Sequence, residues 1–244
     1  MNTSNNSQQQ RIVVLDTETT GMNRESGPHY MGHRIIEIGA VEIIDRKLTG
    51  RHFHVYLKPD RDIQSDAVLV HGITDEFLVD KPEYRDVHQE FLDFINGAEL
   101  VAHNAPFDVG FMDHEFGMLD PNIGKTEQYC KVTDTLAMAK KIFPGKRNNL
   151  DILCDRYGID NSHRTLHGAL LDAEILADVY LLMTGGQTDL KFNSGQSEEG
   201  GETIKRAASG RKALKVLRAS ADELDAHNER LDLVEKSGAC LWRQ

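Results

Sequence analysis

The stretch RIVVLDTETTG, residues 11–21, decides the fold. Its first half is a short run rich in β-branched residues, which predicts a buried strand over Arg11–Asp16. Two acids, Asp16 and Glu18, stand two positions apart where this strand ends. Because alternate residues of a strand point to the same face, the two carboxylates are predicted to lie side by side. Turn formers follow them, so a cap or a turn is the plain alternative.

Further strands and helices follow in an order that indicates an α/β layered domain. The stretch Ile35–Ile44 alternates, and His52–Leu57 follows a Leu-Thr-Gly turn, so we predict an antiparallel meander with the first strand. A fourth strand is predicted at Leu100–His103. Strands first, then a strand alternating with helices, are typical of a sheet covered by helices. Helical patterns cover five stretches: His88–Ile95, Val109–Phe116, Thr135–Ile142, Leu150–Tyr157 and about Leu166–Met183.

Asp172 breaks the pattern of the helix predicted at about residues 166–183. It lines up with Ala169 and Leu176, on the stripe that should face the sheet. A charge buried there is costly unless it is paired or bound to a metal. His167, near the helix start, is predicted to point into the same cleft. Beside carboxylates and a metal, a histidine can serve as a general base.

A fourth acid, Asp108, opens another predicted helix, where capping is the plain alternative. Carboxylates that cluster repel one another unless a cation neutralises them. If folding brings Asp16, Glu18, Asp108 and Asp172 together, they predict a divalent metal site for phosphoryl transfer. The sequence has no serine or cysteine in an elbow motif and no GxxxxGK[ST] loop, so a covalent nucleophile and P-loop chemistry are not indicated.

Three motifs, DTETTG, HNAPFD and HGALLDAE, resemble those of the DEDDh exonuclease family in order and spacing, over residues 11–183. The resemblance implies a ribonuclease H-like fold, with a mixed central sheet flanked by helices. It also implies two divalent metal ions, Mg²⁺ or Mn²⁺, and removal of nucleotides one at a time from a DNA 3′ end. More narrowly, VYLKPD, VHGIT, FPGKRNNL and RTLHGALLDAE resemble the proofreading subunits of bacterial replicative DNA polymerases.

The resemblance implies a role for each residue of the predicted site. Asp16 would bridge both metal ions, and Glu18 and Asp172 would complete the first metal site. Asp108 would support the second metal ion, and His167 would be the general base. Four residues are implied to contact the substrate: Glu18, Asp66, His71 and Asp172.

The charge of the chain limits how it can meet nucleic acid. The formal net charge is −11, and residues 185–244 hold equal numbers of basic and acidic residues, so the surplus lies within residues 1–184. Such a surface cannot hold DNA by counterion release alone. We expect metal ions and a few local basic groups to hold the substrate, and a partner to deliver it. The densest basic patch, at residues 140–147, is either a phosphate contact or a solvated helix end.

Composition divides the chain into four parts. Residues 1–10 form a polar leader, and residues 11–184 form the predicted exonuclease domain. Residues 185–202 are rich in Gly, Ser, Gln and Glu, which predicts a flexible linker. Residues 203–244 are predicted to be a helical tail, in which an S-x-x-E capping box at Ser220–Glu223 opens the second helix.

The tail and the linker both indicate protein partners. Two short amphipathic helices cannot bury themselves, and the resemblance implies that residues 203–244 bind the polymerase catalytic subunit, with Trp242 as a candidate anchor. Docking on the chain's own domain is the alternative. Gln187, Leu190 and Phe192 form a Q-x-x-L-x-F peptide similar to bacterial sliding-clamp ligands, although so short a motif also arises by chance. The sequence leaves open a small accessory subunit on the exonuclease domain.

Cysteine use and hydropathy predict a soluble, cytoplasmic protein, and the resemblance to bacterial proofreading subunits implies a place at the nucleoid-associated replisome. The three cysteines, Cys130, Cys154 and Cys240, are far apart and form no CxxC, which favours reduced thiols. No apolar stretch is long enough to span a membrane. The leader has neither the basic nor the apolar region of a signal peptide.

Three hypotheses of function follow. The first is a proofreading 3′–5′ DNA exonuclease that releases mononucleotides and selects mismatched ends because they fray more easily. The second is an RNA-trimming exonuclease of the same family, against which the linker peptide and the tail argue. The third is an inactive tether between clamp and polymerase, against which the four acids and the histidine argue.

Overall fold

The computed structural model describes residues 10–162, 164, 166–185 and 219–237. The chain divides into two compact units, residues 1–190 and residues 191–244. The predicted boundaries of the linker and the tail stay predictions, because residues 186–218 lie outside the described part of the chain.

A mixed five-stranded sheet in the order β3-β2-β1-β4-β5 forms the centre of the first unit. The first three strands pair antiparallel, which confirms the predicted meander, and β4 and β5 continue the sheet in parallel. The Leu-Thr-Gly stretch predicted as a turn lies within the third strand, and the chain turns instead at Asp45 and Arg46, whose φ angles are positive. The fifth strand was not predicted, because it has only four residues and precedes a helix directly. The strands are β1 (Arg11–Thr19), β2 (Ile35–Ile44), β3 (Lys47–Tyr56), β4 (Glu99–Ala102) and β5 (Lys131–Asp134).

Helices cover both faces of this sheet, as the α/β prediction required. Two short helices in the first hundred residues were not predicted, and the predicted helices at 88–95 and 109–116 begin four residues earlier in the structure. The helices of the first unit are α1 (Ser65–His71), α2 (Asp75–Leu78), α3 (Tyr84–Ile95), α4 (Ala105–Leu119), α5 (Thr135–Ile142), α6 (Leu150–Tyr157) and α7 (Ala169–Thr184).

The alternation along β1 separates two hydrophobic cores. Val13 and Leu15 pack with the buried aromatic residues of α3 and α4. Ile12 and Val14 face the other way and pack with α6 and α7. By the same alternation, Asp16 and the next acid of β1 lie on the face that α7 covers. The fold therefore sets both acids of the DTETTG motif beneath α7.

The second unit is represented by α8 (Ala221–Ser237). Its predicted capping box is confirmed: the backbone N–H of Glu223 donates to Oγ of Ser220 at 3.3 Å, and the backbone N–H of Ser220 donates to the Glu223 carboxylate at 2.8 Å. Leu224 and Val234 are exposed on this helix. An amphipathic helix with an exposed apolar side gains little stability alone.

The sequence predicted no membrane-spanning stretch and reduced cysteines, and the described helices and thiols are consistent with both expectations. Within the described ranges, no helix is long and apolar enough to cross a membrane. Cys130 and Cys154 are buried and are not joined in a disulfide. Cys240 lies outside the described residues.

Candidate active site

Asp16 and Glu18 lie side by side at the end of β1. Both side chains lie on the same face of the strand as Val14, because alternate residues share a face. In the pairing with β2, Asp16 lies opposite Gly39. An added Cβ at Gly39 would lie 2.1 Å from the backbone nitrogen of Leu170, so α7 rests directly on β2. This close approach holds the start of α7 beside both carboxylates.

The helix α7 carries Asp172, and His167 lies two residues before the helix. The helix begins at Ala169 and not at residue 166, so His167 belongs to the preceding loop. Asp172 is buried, which confirms the position predicted from its helical stripe. Ligand atoms of Glu18, His167 and Asp172 lie within 4.8 Å of one another. The fold brings these three predicted site residues together, while their chemical roles stay predictions.

Asp108 approaches the same strand end from the other layer of helices. It is buried in the first turn of α4 and accepts a 2.7 Å hydrogen bond from the hydroxyl of Thr17. The N-cap residue of α4 is Asn104, with a left-handed φ of 68°, so capping does not explain Asp108. Asp134, by contrast, caps α5 by accepting from the backbone N–H of Leu136 at 2.9 Å.

The carboxylates of this cluster carry more negative charge than their surroundings balance. Burial and the negative charges of Asp108 and Glu18 raise the pKa of Asp16 well above its usual value. Burial and the charge of Asp172 raise the pKa of Glu18 to about 8. Burial raises the pKa of Asp108 to about 7, although the hydrogen bond from Thr17 opposes the shift. Buried carboxylate oxygens with surplus negative charge favour binding of a hard divalent cation.

Arg164 is a site residue that the sequence interpretation missed. Its guanidinium donates to both oxygens of Asp172 at 2.5 Å, and to Oδ1 of Asp151 at 2.6 Å. Burial raises the pKa of Asp172, but hydrogen bonds from His167 and Arg164 lower it below its usual value. The only signal for Arg164 was its place in RTLHGALLDAE, because no periodicity connects a loop arginine to its partners.

The Nδ1 atom of His167 lies near one hydrogen-bond donor and one acceptor. It lies 2.8 Å from a guanidinium nitrogen of Arg164, which can only donate, and 3.2 Å from Oδ2 of Asp172, which accepts when ionised. When Nδ1–H donates to Asp172, the lone pair of Nε2 is free to take a proton. The side chain is 45% exposed, so water and substrate can reach that nitrogen.

A cavity of about 220 Å³ opens beside Glu18. Asp66 and His71 both line it, so two further residues of the predicted substrate set share this cavity with Glu18. His71 ends α1, and burial lowers its pKa. Asp66 forms an ion pair with Arg24, a partner that the sequence did not indicate. Apolar walls are provided by four residues: Met22, Ala67, Val70 and Phe107.

Other predicted features fall outside this site or outside the described chain. The clamp-binding peptide at residues 187–192 and Trp242 are among the residues that the structure does not describe. Lys140 and Lys141 stand in the last turn of α5, where the helix dipole favours cations. A phosphate contact from residues 140–147 stays a prediction.

The mixed sheet, the flanking helices and the acidic strand end define a ribonuclease H-like exonuclease. The family model described as Exonuclease (RNase_T) matches residues 13–180. The DNA polymerase III subunit epsilon of Salmonella typhimurium is 63% identical, over 96% of this chain and 97% of that protein. The subunit of Escherichia coli K12 is 61% identical over the same shares of the two chains. The chain therefore belongs to the exonuclease family and, within it, to the DNA polymerase III epsilon subunits.

A more distant solved structure supports the fold. Exonuclease X in complex with 5′-overhanging duplex DNA aligns with a TM-score of 0.54 at 24% identity, over 71% of this chain and 91% of that one. At this identity the likeness concerns the fold alone. The family and fold implied by the three motifs are confirmed.

Proposed function

We propose that this chain is the proofreading 3′–5′ exonuclease of a bacterial replicative DNA polymerase, acting in the cytoplasm at the nucleoid-associated replisome. The observation that carries the proposal is the convergence at the end of β1 of Glu18, Asp172 and His167, together with the raised pKa values of Asp16 and Asp108. Full-length identity above 60% to epsilon subunits supports the same reading.

The four carboxylates fit a pair of divalent cations. Dependence on divalent metal is general in the exonuclease family, and the preferred ion, Mg²⁺ or Mn²⁺, is part of the proposal. Asp16 would contribute to both ions, Glu18 and Asp172 to the first, and Asp108 to the second. The raised pKa values of Asp16, Glu18 and Asp108 express a deficit of positive charge, which such ions remove. When bound, the ions supply Lewis acidity at the attacking water and at the leaving oxygen.

His167 supplies the proton transfer in the proposed reaction. Its exposed Nε2 takes a proton from the water that attacks the terminal phosphorus atom. The bond from phosphorus to the 3′ oxygen of the preceding nucleotide breaks, and a mononucleotide leaves. A hydrogen bond from Nδ1–H to Asp172 would orient the ring and stabilise its protonated form.

The cavity beside Glu18 fits the terminal nucleotide of the substrate. Its apolar walls suit the face of an unpaired base, while Asp66 and His71 place polar groups at the same cavity. A base paired in duplex DNA must first be released, which costs less at a mismatch. Selection of mismatched ends would follow from that difference in melting cost.

The proposed partners compensate for the acidic exonuclease domain. The tail, residues 203–244, would bind the polymerase catalytic subunit, and its described helix α8 exposes Leu224 and Val234. The peptide at Gln187, Leu190 and Phe192 would bind the sliding clamp. A small accessory subunit on the exonuclease domain is compatible with this assembly. Such tethering would deliver a primer end that the −11 charge disfavours.

A nuclease assay on the full chain tests the proposed activity. DNA labelled at its 5′ end, with a mismatched 3′ end, and the matching RNA are offered with Mg²⁺, with Mn²⁺ or with EDTA. We expect metal-dependent shortening of the DNA, with mononucleotides as product. Trimming of RNA but not of DNA would favour the RNA-trimming alternative, and no activity with any metal would favour the inactive tether.

A pull-down with the polymerase catalytic subunit tests the tail. In the full chain, the double substitution Leu224→Glu and Val234→Glu should abolish capture by the polymerase subunit. Nuclease activity on single-stranded DNA should be unchanged, because these residues lie in the second unit. Glu229→Gln on the same helix is the matched control. Undiminished capture of the double variant would remove α8 from the proposed interface.

A further inference from the structure

Glu37 is a buried acid beside the site to which the proposed mechanism gives no role. It lies on β2, directly opposite Glu18 of β1 in the strand pairing. Cross-strand partners share a face of the sheet, so Glu37 faces the layer of α7. Its charge is one of those that raise the pKa of Glu18, after burial and Asp172.

Glu37 accepts hydrogen bonds from two different layers of the domain, and the hydroxyl of Tyr56 on β3 is a further hydrogen-bonding neighbour. His54 of β3 donates from Nε2 to Oε1 at 2.8 Å. The backbone N–H of Ala169, the first residue of α7, donates to Oε2 at 3.1 Å in a buried position. Glu37 therefore connects the sheet to the first turn of the helix that carries Asp172.

This contact replaces the missing cap of α7. The first N–H groups of a helix have no partner within the helix, and buried ones need an acceptor. Gly168, at the N-cap position, has no side chain that could serve. A carboxylate at this point also interacts favourably with the helix dipole. The helix start thus depends on an acceptor 132 positions earlier in the chain.

The same strand contributes a second restraint two residues further along. The backbone of α7 sits so close to Gly39 that an added Cβ would lie 2.2 Å from the carbonyl carbon of Ala169. Contact at Gly39 limits how near the helix can come, and the hydrogen bond from Glu37 limits how far its first turn can move. Asp172 lies one turn beyond this anchor, and His167 lies two residues before it.

We propose that Glu37 is a positioning residue, which fixes the start of α7 and thereby the distance from Glu18 to His167 and Asp172. His54 holds the Glu37 carboxylate from the other side and is the secondary member of this link. The effect on catalysis rests on the proposed nuclease function, whereas the anchoring of α7 does not. Reacting groups displaced by about 1 Å can lose on the order of 100-fold in rate.

A second buried acid of the same strand provides a matched control. Glu42 is as buried as Glu37, but it lies on the opposite face of β2 and binds Arg11, Arg51 and Thr49. Its loss should destabilise the domain without touching α7. A comparison of the two glutamates separates positioning from general stability.

The test uses the full chain with Glu37→Gln, Glu37→Asp, Glu37→Ala and Glu42→Ala. Glutamine keeps an oxygen within reach of the Ala169 N–H, whereas aspartate keeps the charge but withdraws the oxygen by one methylene group. We expect Glu37→Ala and Glu37→Asp to lower kcat about 10- to 100-fold with KM nearly unchanged, and Glu37→Gln to stay within about 5-fold of the unsubstituted chain. Glu42→Ala should change kcat less than about 2-fold.

Amide hydrogen exchange of Ala169 gives a readout that does not depend on catalysis. Exchange should accelerate in Glu37→Asp and Glu37→Ala, and should stay slow in Glu37→Gln and Glu42→Ala. Aspartate performing better than glutamine, or equal exchange in all variants, would overturn the positioning role. If Glu37→Ala does not fold, the aspartate and glutamine pair still decides. A chain that ignores DNA but shows the expected exchange pattern would refute the nuclease proposal and retain the anchor.

Discussion

Buried acids occur on both faces of the central sheet, but they are balanced in different ways. On the face of α3 and α4, Glu115 accepts from Arg34 through two hydrogen bonds of 2.9 and 2.7 Å, and from the backbone N–H of Ile35 at 3.1 Å. At the end of β1, several carboxylates share one guanidinium, that of Arg164. The pKa of Glu18 there rises to about 8 through burial and neighbouring charge.

The difference separates a structural acid from a functional one. A paired carboxylate with satisfied hydrogen bonds contributes to the fold by itself. A cluster with surplus negative charge is destabilised until a cation binds, and such strained electrostatics mark functional sites. Burial alone does not make the distinction, because Glu115 and Asp108 are both buried. The balance of charge around each acid distinguishes the structural acid from the functional one.

The largest expected effect comes from Asp16, the most central acid of the cluster. Asp16→Ala should lower kcat on single-stranded DNA by on the order of 1,000-fold or more, because both metal positions lose a ligand. The folded state without metal should be as stable as the unsubstituted chain or more stable, since one repelling charge is gone. Steady-state kinetics and urea denaturation in EDTA measure the two effects. Activity near that of the unsubstituted chain would show that the site is misassigned.

A smaller loss is expected for His167. His167→Ala should lower kcat about 100-fold or more, while metal binding and KM change little, because the substitution removes only the proton acceptor. His114→Ala, in α4 on the other face of the sheet, is a matched control and should leave kcat unchanged. Isothermal titration with Mn²⁺ checks the metal affinity. Equal kcat values for the two variants would exclude His167 as the base.

For Glu115, the acid paired with Arg34, we expect a loss of stability without a loss of activity. Glu115→Gln leaves Arg34 without a buried counter-charge and should lower the free energy of unfolding by on the order of 3 kcal/mol. Its kcat at a permissive temperature should equal that of the unsubstituted chain.

Asp108→Asn should abolish activity but should not lower stability in EDTA, because it removes a carboxylate whose pKa burial has raised to about 7. If both variants were destabilised alike, the proposed distinction would be wrong.

A further expected effect is the pH dependence of stability without metal. The pKa of Glu18 is about 8 in the folded protein and near 4.5 for an unperturbed glutamate, so the folded state holds the proton more tightly. In EDTA, stability should therefore fall as pH rises from about 4.5 to about 8. Urea denaturation at pH 5.5 and pH 8.5 measures the fall, and Glu18→Gln should reduce it. An unchanged slope in Glu18→Gln would assign the dependence to other groups.

Sequence patterns predicted the strands and helices whose periodicity is long and regular. The antiparallel order of β1 to β3 and the bounds of β2, α5 and α6 were predicted correctly, because alternation and helical stripes are local properties. The four-residue strand β5 and the short helices α1 and α2 were missed, since so few residues cannot establish a period. The end of β1 was set three residues too early, because acids and turn formers obscure a strand that continues to Thr19.

The candidate site divides in the same way. The motifs identified Asp16, Glu18, Asp108, His167 and Asp172, and the misplaced charge of Asp172 was visible from its helical stripe alone. The start of α7 was set three residues too early, so the loop position of His167 was not foreseen. A boundary without a side-chain cap gives no local signal, because the acceptor that defines it comes from another strand.

By itself, the sequence determined four of the five strands of the sheet, the acids that interrupt its apolar pattern and the family that the chain resembles. These properties depend on the spacing of neighbouring residues and on contiguous motifs. Only the tertiary structure decided that Arg164 neutralises Asp172, that Arg24 pairs with Asp66, and that Glu37 accepts from the first turn of α7. Such contacts join residues up to 132 positions apart. They follow from strand register and helix packing, which no local period encodes.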